Sequence, residues 1–237
     1  MIVDILHLYP REMNLYGDHG NILTLQRRLE WRGFEARVHA YEPGDELPEK
    51  IDLIFGGGGQ DSGQNKIEQD LAKIAPKLKE MIEDGTPALV VCGLYQLFGK
   101  SFITLGKQHI NGANILPIST IAGPKRLIGN ITIKTKFGQV VGYENHSGLT
   151  QLEESATPFG KVLKGHGNSG LDGTEGCLYK NCIGTYLHGP ILPKNPKVAD
   201  FLLAKALERQ TGKPTTLEPL NDKIEQQAHK IAASRPA

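Results

Sequence analysis

Cys92 and His188 are the two side chains of this 237-residue chain whose settings suit proton-coupled nucleophilic chemistry. Cys92 follows the apolar run Ala88-Leu89-Val90-Val91 and precedes Gly93-Leu94-Tyr95-Gln96-Leu97, a pattern that predicts strand, turn and helix with a thiol on the turn. At a helix start, unpaired N–H groups and a partial positive charge favour the thiolate. The N–H of Gly93, the residue after the sulfur, can face a developing oxyanion, as at nucleophile elbows generally. A lone cysteine at a strand end can equally be a small core filler, so the rest of the chain must decide.

Eight histidines compete to be its base. His7 and His39 fall inside predicted strands and read as structural, and His109, His166 and His229 have no informative setting. His19 and His146 lie in polar loops and are candidates for binding. His188 follows the strand-like Gly184-Thr185-Tyr186-Leu187, where an imidazole at a strand end can meet the cysteine loop. The separation in sequence is no obstacle, because such pairs assemble in space.

The run Gly56-Gly57-Gly58-Gly59 has two chemical uses, cradling a phosphate or presenting backbone N–H groups to an oxyanion. Neither this run nor Gly99-Lys100-Ser101 has the spacing of a P-loop, and Asp61-Ser62-Gly63 interrupts a dinucleotide fingerprint. The remaining functional use is a glycine N–H that complements Gly93; the structural alternative is a plain turn.

These residues must be positioned by the elements around them. Strands are predicted at Ile2–Leu8, Glu35–Ala40, Ile51–Phe55 and Ala88–Val91, with helices at about Asn21–Trp31 and Glu68–Asp84, the latter kinked or divided at Pro76. Alternating strands and helices predict an α/β fold with a doubly wound, mostly parallel sheet, and loops at the carboxyl strand ends should gather the site. Beyond Ser101 short strands alternate with glycine turns, and the sheet is expected to continue there partly antiparallel. A helix at Lys197–Arg209 and a polar tail with a helix around Asp222–Ala232 complete the chain. The expected division is a domain over residues 2–207 and a tail over 208–237.

With 27 basic and 26 acidic residues the net charge is +1, which offers no electrostatic footprint for nucleic acid or an anionic membrane. A hydrophobic content of 39% suffices for a substantial core. No apolar run is long enough to span a membrane and the first residues read as a strand, so a cytoplasmic protein is expected. Three cysteines, Cys92, Cys177 and Cys182, do not make a disulfide framework and fit a reducing compartment. Cys177, Cys182 and His188 lack metal-site spacing, and no metal is expected.

Val91-Cys92-Gly93-Leu94-Tyr95-Gln96 resembles the nucleophile motif of class I (triad) glutamine amidotransferases, and Gly184-Thr185-Tyr186-Leu187-His188-Gly189-Pro190 resembles the histidine motif of their cobyric acid synthase-like branch. Phe55-Gly56-Gly57-Gly58-Gly59-Gln60-Asp61-Ser62-Gly63-Gln64, Asn14-Leu15-Tyr16-Gly17-Asp18-His19-Gly20-Asn21 and Tyr143-Glu144-Asn145-His146-Ser147-Gly148 narrow the resemblance to the glutaminase subunits of lipid II isoglutaminyl synthases. It covers about residues 2 to 207, and five ordered motifs together are more specific than any one.

The resemblance implies a flavodoxin-like glutaminase in which Cys92 attacks the side-chain amide of L-glutamine and His188 shuttles protons. Gly93 and Gly58 would supply oxyanion N–H groups, and Gln96, Arg126 and Tyr95 would hold the substrate. The partner implied is a MurT-like Mur ligase subunit that takes the ammonia and amidates the D-glutamate α-carboxyl of lipid II. No cofactor is implied in this chain; ATP and magnesium would belong to the partner. Two departures stand out. Relatives have glycine two residues before and after the cysteine, where this chain has Val90 and Leu94. An acid often found two residues after the histidine is Pro190 here, so another acid of this chain or of the partner would orient His188. These departures leave one alternative, a catalytically weakened module that stabilises a ligase; the fold leaves another, a different cysteine hydrolase, against which Tyr95-Gln96 and Arg126 favour glutamine.

Overall fold

In chain order the computed structural model, which describes residues 1–59 and 61–237, contains β1 (Ile2–Leu8), α1 (His19–Glu30), β2 (Glu35–Tyr41), β3 (Leu53–Gly56), α2 (Asp61–Glu83), β4 (Ala88–Val91), α3 (Gly93–Phe98), β5 (Ser101–Ile103), β6 (His109–Asn111), β7 (Ile118–Thr135), β8 (Gly138–Leu152), β9 (Gly160–Lys164), β10 (Thr174–Glu175), β11 (Cys177–Tyr179), β12 (Cys182–Thr185), α4 (Pro196–Thr211) and α5 (Lys223–Ser234). Gln60, part of the glycine motif quoted above, lies outside the described residues.

The first sheet has the order β11-β12-β4-β3-β1-β2, parallel throughout except for the β11–β12 pair. Its central strands β3, β4 and β12 are buried along their whole length, as expected of strands covered on both faces. Edge strand β2 instead alternates between exposed and half-buried positions. The register sets Thr185 beside Val91 and Gly56 beside Val90, so the three strands that carry the histidine, cysteine and glycine loops end side by side. Loops at the carboxyl ends of adjacent parallel strands converge for this reason.

The C-terminal half departs from expectation. Only β11 and β12 extend the first sheet; β5 to β10 form a second one of order β10-β9-β7-β5-β6, with β8 paired to β7. What reads in sequence as several short strands is a hairpin of 18 and 15 residues turning at Lys136-Phe137. Its register breaks between Ala122 and Leu127, where Gly123 to Arg126 bulge opposite the single residue Ser147.

α2 begins earlier than its apolar spacing suggests and runs through Pro76 as one helix. Its buried stripe, Ile67, Leu71, Leu78 and Ile82, holds it together across the proline. At the C-terminal end, Arg28 of α1 donates to Asp200 on α4 and to Asp222 just before α5, at 2.8 and 2.6 Å. Further on, Asn130 Nδ2 donates to the carbonyl of Pro236 at 2.8 Å, and Lys164 Nζ to that of Ala233 at 2.7 Å. α5 therefore lies along the β7–β8 hairpin.

Candidate active site

Cys92 sits on the turn between β4 and α3 with φ of 48° and ψ of −101°, a backbone region that side chains rarely adopt. The turn is held by the N–H of Cys92, which donates to the carbonyl of Thr185 at 2.8 Å, the next strand across. That strain lifts the sulfur out of the sheet, as a nucleophile elbow requires. The departure at Leu94 is absorbed by Gly56. It pairs with Val90, and a Cβ on it would run into Leu94 Cδ1. A bulkier residue is accepted on one side of the elbow because the facing one is glycine.

His188 follows β12 and is fixed by a bridge to β8, its N–H donating to the carbonyl of Tyr143 at 2.8 Å. A Cβ on Gly58 would lie 2.6 Å from His188 Cε1, 3.1 Å from Cys92 Cβ and 3.3 Å from Asp18 Oδ2, which shows how tightly these four residues converge. The structure thus brings the sequence-predicted cysteine and histidine to one point. Asp18 Oδ1 lies 3.6 Å from His188 Nδ1, and neither side chain is exposed. Burial alone would depress the imidazole, but the Cys92 sulfur and the Asp18 carboxylate outweigh it and push it up to about 10. An imidazole pushed upward between a sulfur and a carboxylate is the arrangement that stabilises a thiolate.

Asp18 is a functional candidate that the residue-by-residue reading passed over. It lies in one of the quoted motifs, but nothing in sequence shows that an aspartate 74 positions before the cysteine folds under the histidine. Pro190, where the resemblance would place an acid, instead packs on α1: a Cβ on Gly20 would be 2.5 Å from Pro190 Cγ. The acid is supplied from the other side of this contact, two residues before Gly20.

The expected oxyanion donors fare differently. Gly93 opens α3 in the expected position after the sulfur. The N–H of Gly58, however, donates to Asp18 Oδ2 at 2.7 Å, so it is engaged by the carboxylate rather than aimed at a substrate. Gly59 is next to it in the loop and lines the cavity above Cys92; its nitrogen is 2.9 Å from where a Cβ of Gly93 would stand.

That cavity, about 480 Å³, is lined by Tyr16, Gly59, Cys92, Gln96, Arg126 and Asn145, among others. Gln96 is oriented on both sides: Gln64 Nε2 donates to its Oε1 at 2.8 Å, and its Nε2 donates to Tyr186 OH at 3.2 Å. Arg126 reaches the cavity because it lies in the bulge of β7. Tyr95 does not reach it. Its ring is wholly buried edge-on to Tyr186, centroids 5.1 Å apart, with its hydroxyl donating to Asn168 Oδ1 at 3.2 Å. The helical repeat that turns Gln96 to the cavity turns its neighbour into the core.

Of the two histidines noted for binding, His146 lines the cavity, stacked on Tyr186 at 3.5 Å, with burial lowering it to about 3. Neutral at ordinary pH, it donates from Nδ1 to the Gly148 carbonyl at 2.8 Å. His19 is exposed and stacks on His7. Cys177 and Cys182 are buried, with their thiols pushed up by burial, that of Cys177 to about 12. They are inert beside Cys92.

A strained cysteine, a charged imidazole backed by a carboxylate, and a polar cavity with an arginine at its rim can split a carboxamide and hold an anionic head group. Comparison with known proteins agrees. Residues 4–196 match the CobB/CobQ-like glutamine amidotransferase domain. The chain is 40% identical over 98% of its length, and 95% of the relative's, to the Lipid II isoglutaminyl synthase (glutamine-hydrolyzing) subunit GatD of Staphylococcus aureus. It is 35% identical to the GatD of Streptococcus pneumoniae, covering 95% of this chain and 88% of that one. Among solved structures, a PurLQS structure from Thermotoga maritima matches with a TM-score of 0.59 at 15% identity, over 86% of this chain and 98% of that chain. A glutamine amidotransferase from the same organism gives 0.54 at 17%, over 97% and 93%.

Proposed function

This chain belongs to the CobB/CobQ-like glutamine amidotransferase family, and on that premise we propose that it is the glutaminase subunit of a lipid II isoglutaminyl synthase. The observation that carries the chemistry is the convergence of Cys92, His188 and Asp18 beside a cavity rimmed by Arg126. The target follows from the two relatives named GatD, matched over 95% and 88% of their lengths.

In this reading the Cys92 sulfur attacks the side-chain carboxamide carbon of L-glutamine, whose oxygen becomes an oxyanion facing the N–H of Gly93. His188, as imidazolium, gives its proton to the departing nitrogen, and ammonia leaves behind a γ-glutamyl thioester. His188, now neutral, takes a proton from water as that water attacks the thioester, which releases glutamate and the sulfur. Asp18 holds the ring in place and supports its charge through both steps. Arg126 pairs with the α-carboxylate, and Gln96 borders the rest of the substrate.

The ammonia is passed to a Mur ligase-like partner, MurT or its equivalent, which amidates the α-carboxyl of D-glutamate in the peptidoglycan stem of lipid II to give D-isoglutamine. ATP and magnesium are held by that partner, since activation of the carboxylate takes place there. The complex works at the inner face of the bacterial membrane through its lipid-linked substrate; among the described residues no helix is long and apolar enough to cross a membrane.

The test is Cys92→Ser assayed with the ligase partner. Glutamine-dependent amidation should vanish while ammonium salts still support it. Amidation from glutamine that survives the substitution overturns the nucleophile, and loss with both nitrogen sources shows a structural rather than catalytic role.

A further inference from the structure

Tyr16 and Asn145 join the substrate rim to the catalytic histidine. Arg126 donates from Nε to Asn145 Oδ1 at 2.8 Å and from Nη2 to the Asn145 carbonyl at 3.0 Å. The other end of the same amide, Nδ2, donates to Tyr16 OH at 2.5 Å. The Tyr16 ring in turn stands edge-on to His188, centroids 4.8 Å apart. All three of Tyr16, Arg126 and Asn145 line the cavity over Cys92.

Tyr16 also has a strained backbone, with φ of 58° in a non-helical conformation between Leu15 and Gly17. A left-handed tyrosine persists only where its surroundings hold it there. Here the holding contacts are the Asn145 amide on its hydroxyl and, one residue earlier, the Leu15 N–H, which donates to the Gly58 carbonyl at 2.9 Å. Two residues further along is Asp18, the carboxylate beside His188 and on the Gly58 N–H. One short loop therefore carries both the ring that covers His188 and the acid that supports it.

Among the described residues no group occupies the outer fork of the Arg126 guanidinium. Nε and one Nη2 hydrogen are spent on Asn145, which fixes the plane of the group and leaves the Nη1–Nη2 edge for a carboxylate. Its orientation and the seating of Tyr16 depend on the same side chain.

We propose that Asn145 and Tyr16 are positioning residues that couple recognition of the α-carboxylate of an amino-acid substrate at Arg126 to the placement of His188 and Asp18. This rests on the glutaminase reading above. A ligand with that head group gains from both the pre-set Arg126 and the seated Tyr16 loop, whereas a thiol reagent without a carboxylate gains only from the loop's support of His188.

Two alkylating probes of Cys92 separate these cases: 6-diazo-5-oxo-L-norleucine, which carries the amino-acid head group of glutamine, and iodoacetamide, which lacks it. Their rates at the Cys92 peptide are measured by mass spectrometry on the full-length protein, Tyr16→Phe and Asn145→Ala. Asn145→Ala should lower the ratio of the norleucine rate to the iodoacetamide rate by about tenfold, the worth of one hydrogen bond to a charged group, and Tyr16→Phe by about fivefold, that of a neutral one. The iodoacetamide rate, which senses only how well His188 and Asp18 sustain the Cys92 thiolate, should fall by less, and the double variant should be no worse than Asn145→Ala, because the two act along one line of contacts. An unchanged ratio in both variants, or an equal loss with both reagents, overturns the coupling. Wild-type protein that reacts with iodoacetamide but not with the norleucine reagent overturns the glutaminase reading, and the coupling with it.

Discussion

Asp18 Oδ1 stands 3.6 Å from His188 Nδ1, both side chains shut off from solvent, and Asp18 Oδ2 accepts the N–H of Gly58. One carboxylate thereby supports the imidazole and fixes the glycine loop that the imidazole touches. Asp18→Asn keeps an acceptor for Gly58 but removes the charge. Turnover should fall about 10²–10⁴-fold, as when other catalytic histidines lose their carboxylate, with little change in KM. His188 should titrate at lower pH in the variant, because an anion that favoured its protonated form is gone. Kinetics together with NMR titration of the ring check both; unchanged turnover and titration would remove Asp18 from the site.

Gly56 and Leu94 should behave as one unit. Gly56→Ala puts a Cβ into Leu94 Cδ1, and overpacking of that kind costs about 1–3 kcal/mol. Leu94→Ala alone opens a hole in a fully buried site at about 2–5 kcal/mol. Together they should cost less than their sum by about 1 kcal/mol or more, since the smaller residue makes room for the new methyl. Urea unfolding of the two single variants and the double variant measures the difference, and strict additivity would contradict this account of the elbow.

His7 is a source of acid sensitivity. It is buried against Phe55, and burial, with the neighbouring His19, lowers it to about 4 from an unfolded value of 6.5. A depressed pKa contributes stability above the unfolded value that is lost as pH falls toward the folded one, because the unfolded chain takes up a proton that the folded one refuses. Between pH 7 and 5 this one group should cost the fold about 2 kcal/mol. His7→Phe should lose correspondingly less over that interval, read from urea midpoints at the two pH values. Parallel declines in wild type and variant would show that His7 is not the titrating group.

The doubly wound half was legible because β1, β3 and β4 are short apolar runs bounded by turn residues, and their parallel order delivers Cys92 and the glycine loop to the same end. His188 was legible by elimination among histidines and by the motif around it. The second sheet was not. β7 mixes exposed, half-buried and buried positions without clean alternation, and where β8 does alternate its buried positions are Glu144, His146, Gly148 and Thr150, polar or glycine rather than apolar, so the hairpin does not read as strands. The roles of Tyr95 and Gly58 turned on a helical rotation and on one hydrogen bond to Asp18, neither of which a motif encodes. Asp18, Asn145 and Tyr16 acquire their partners only through contacts across the fold, so their types alone gave no signal.

The central claim is that the Cys92 sulfur takes up the γ-glutamyl group. Protein mixed with isotope-labelled L-glutamine, quenched in acid during turnover and digested, should show the label as a thioester on the Cys92 peptide, lost on treatment with hydroxylamine and absent in Cys92→Ser. Steady release of labelled glutamate with no adduct on Cys92 at any quench time, or with the adduct on another residue, would contradict it.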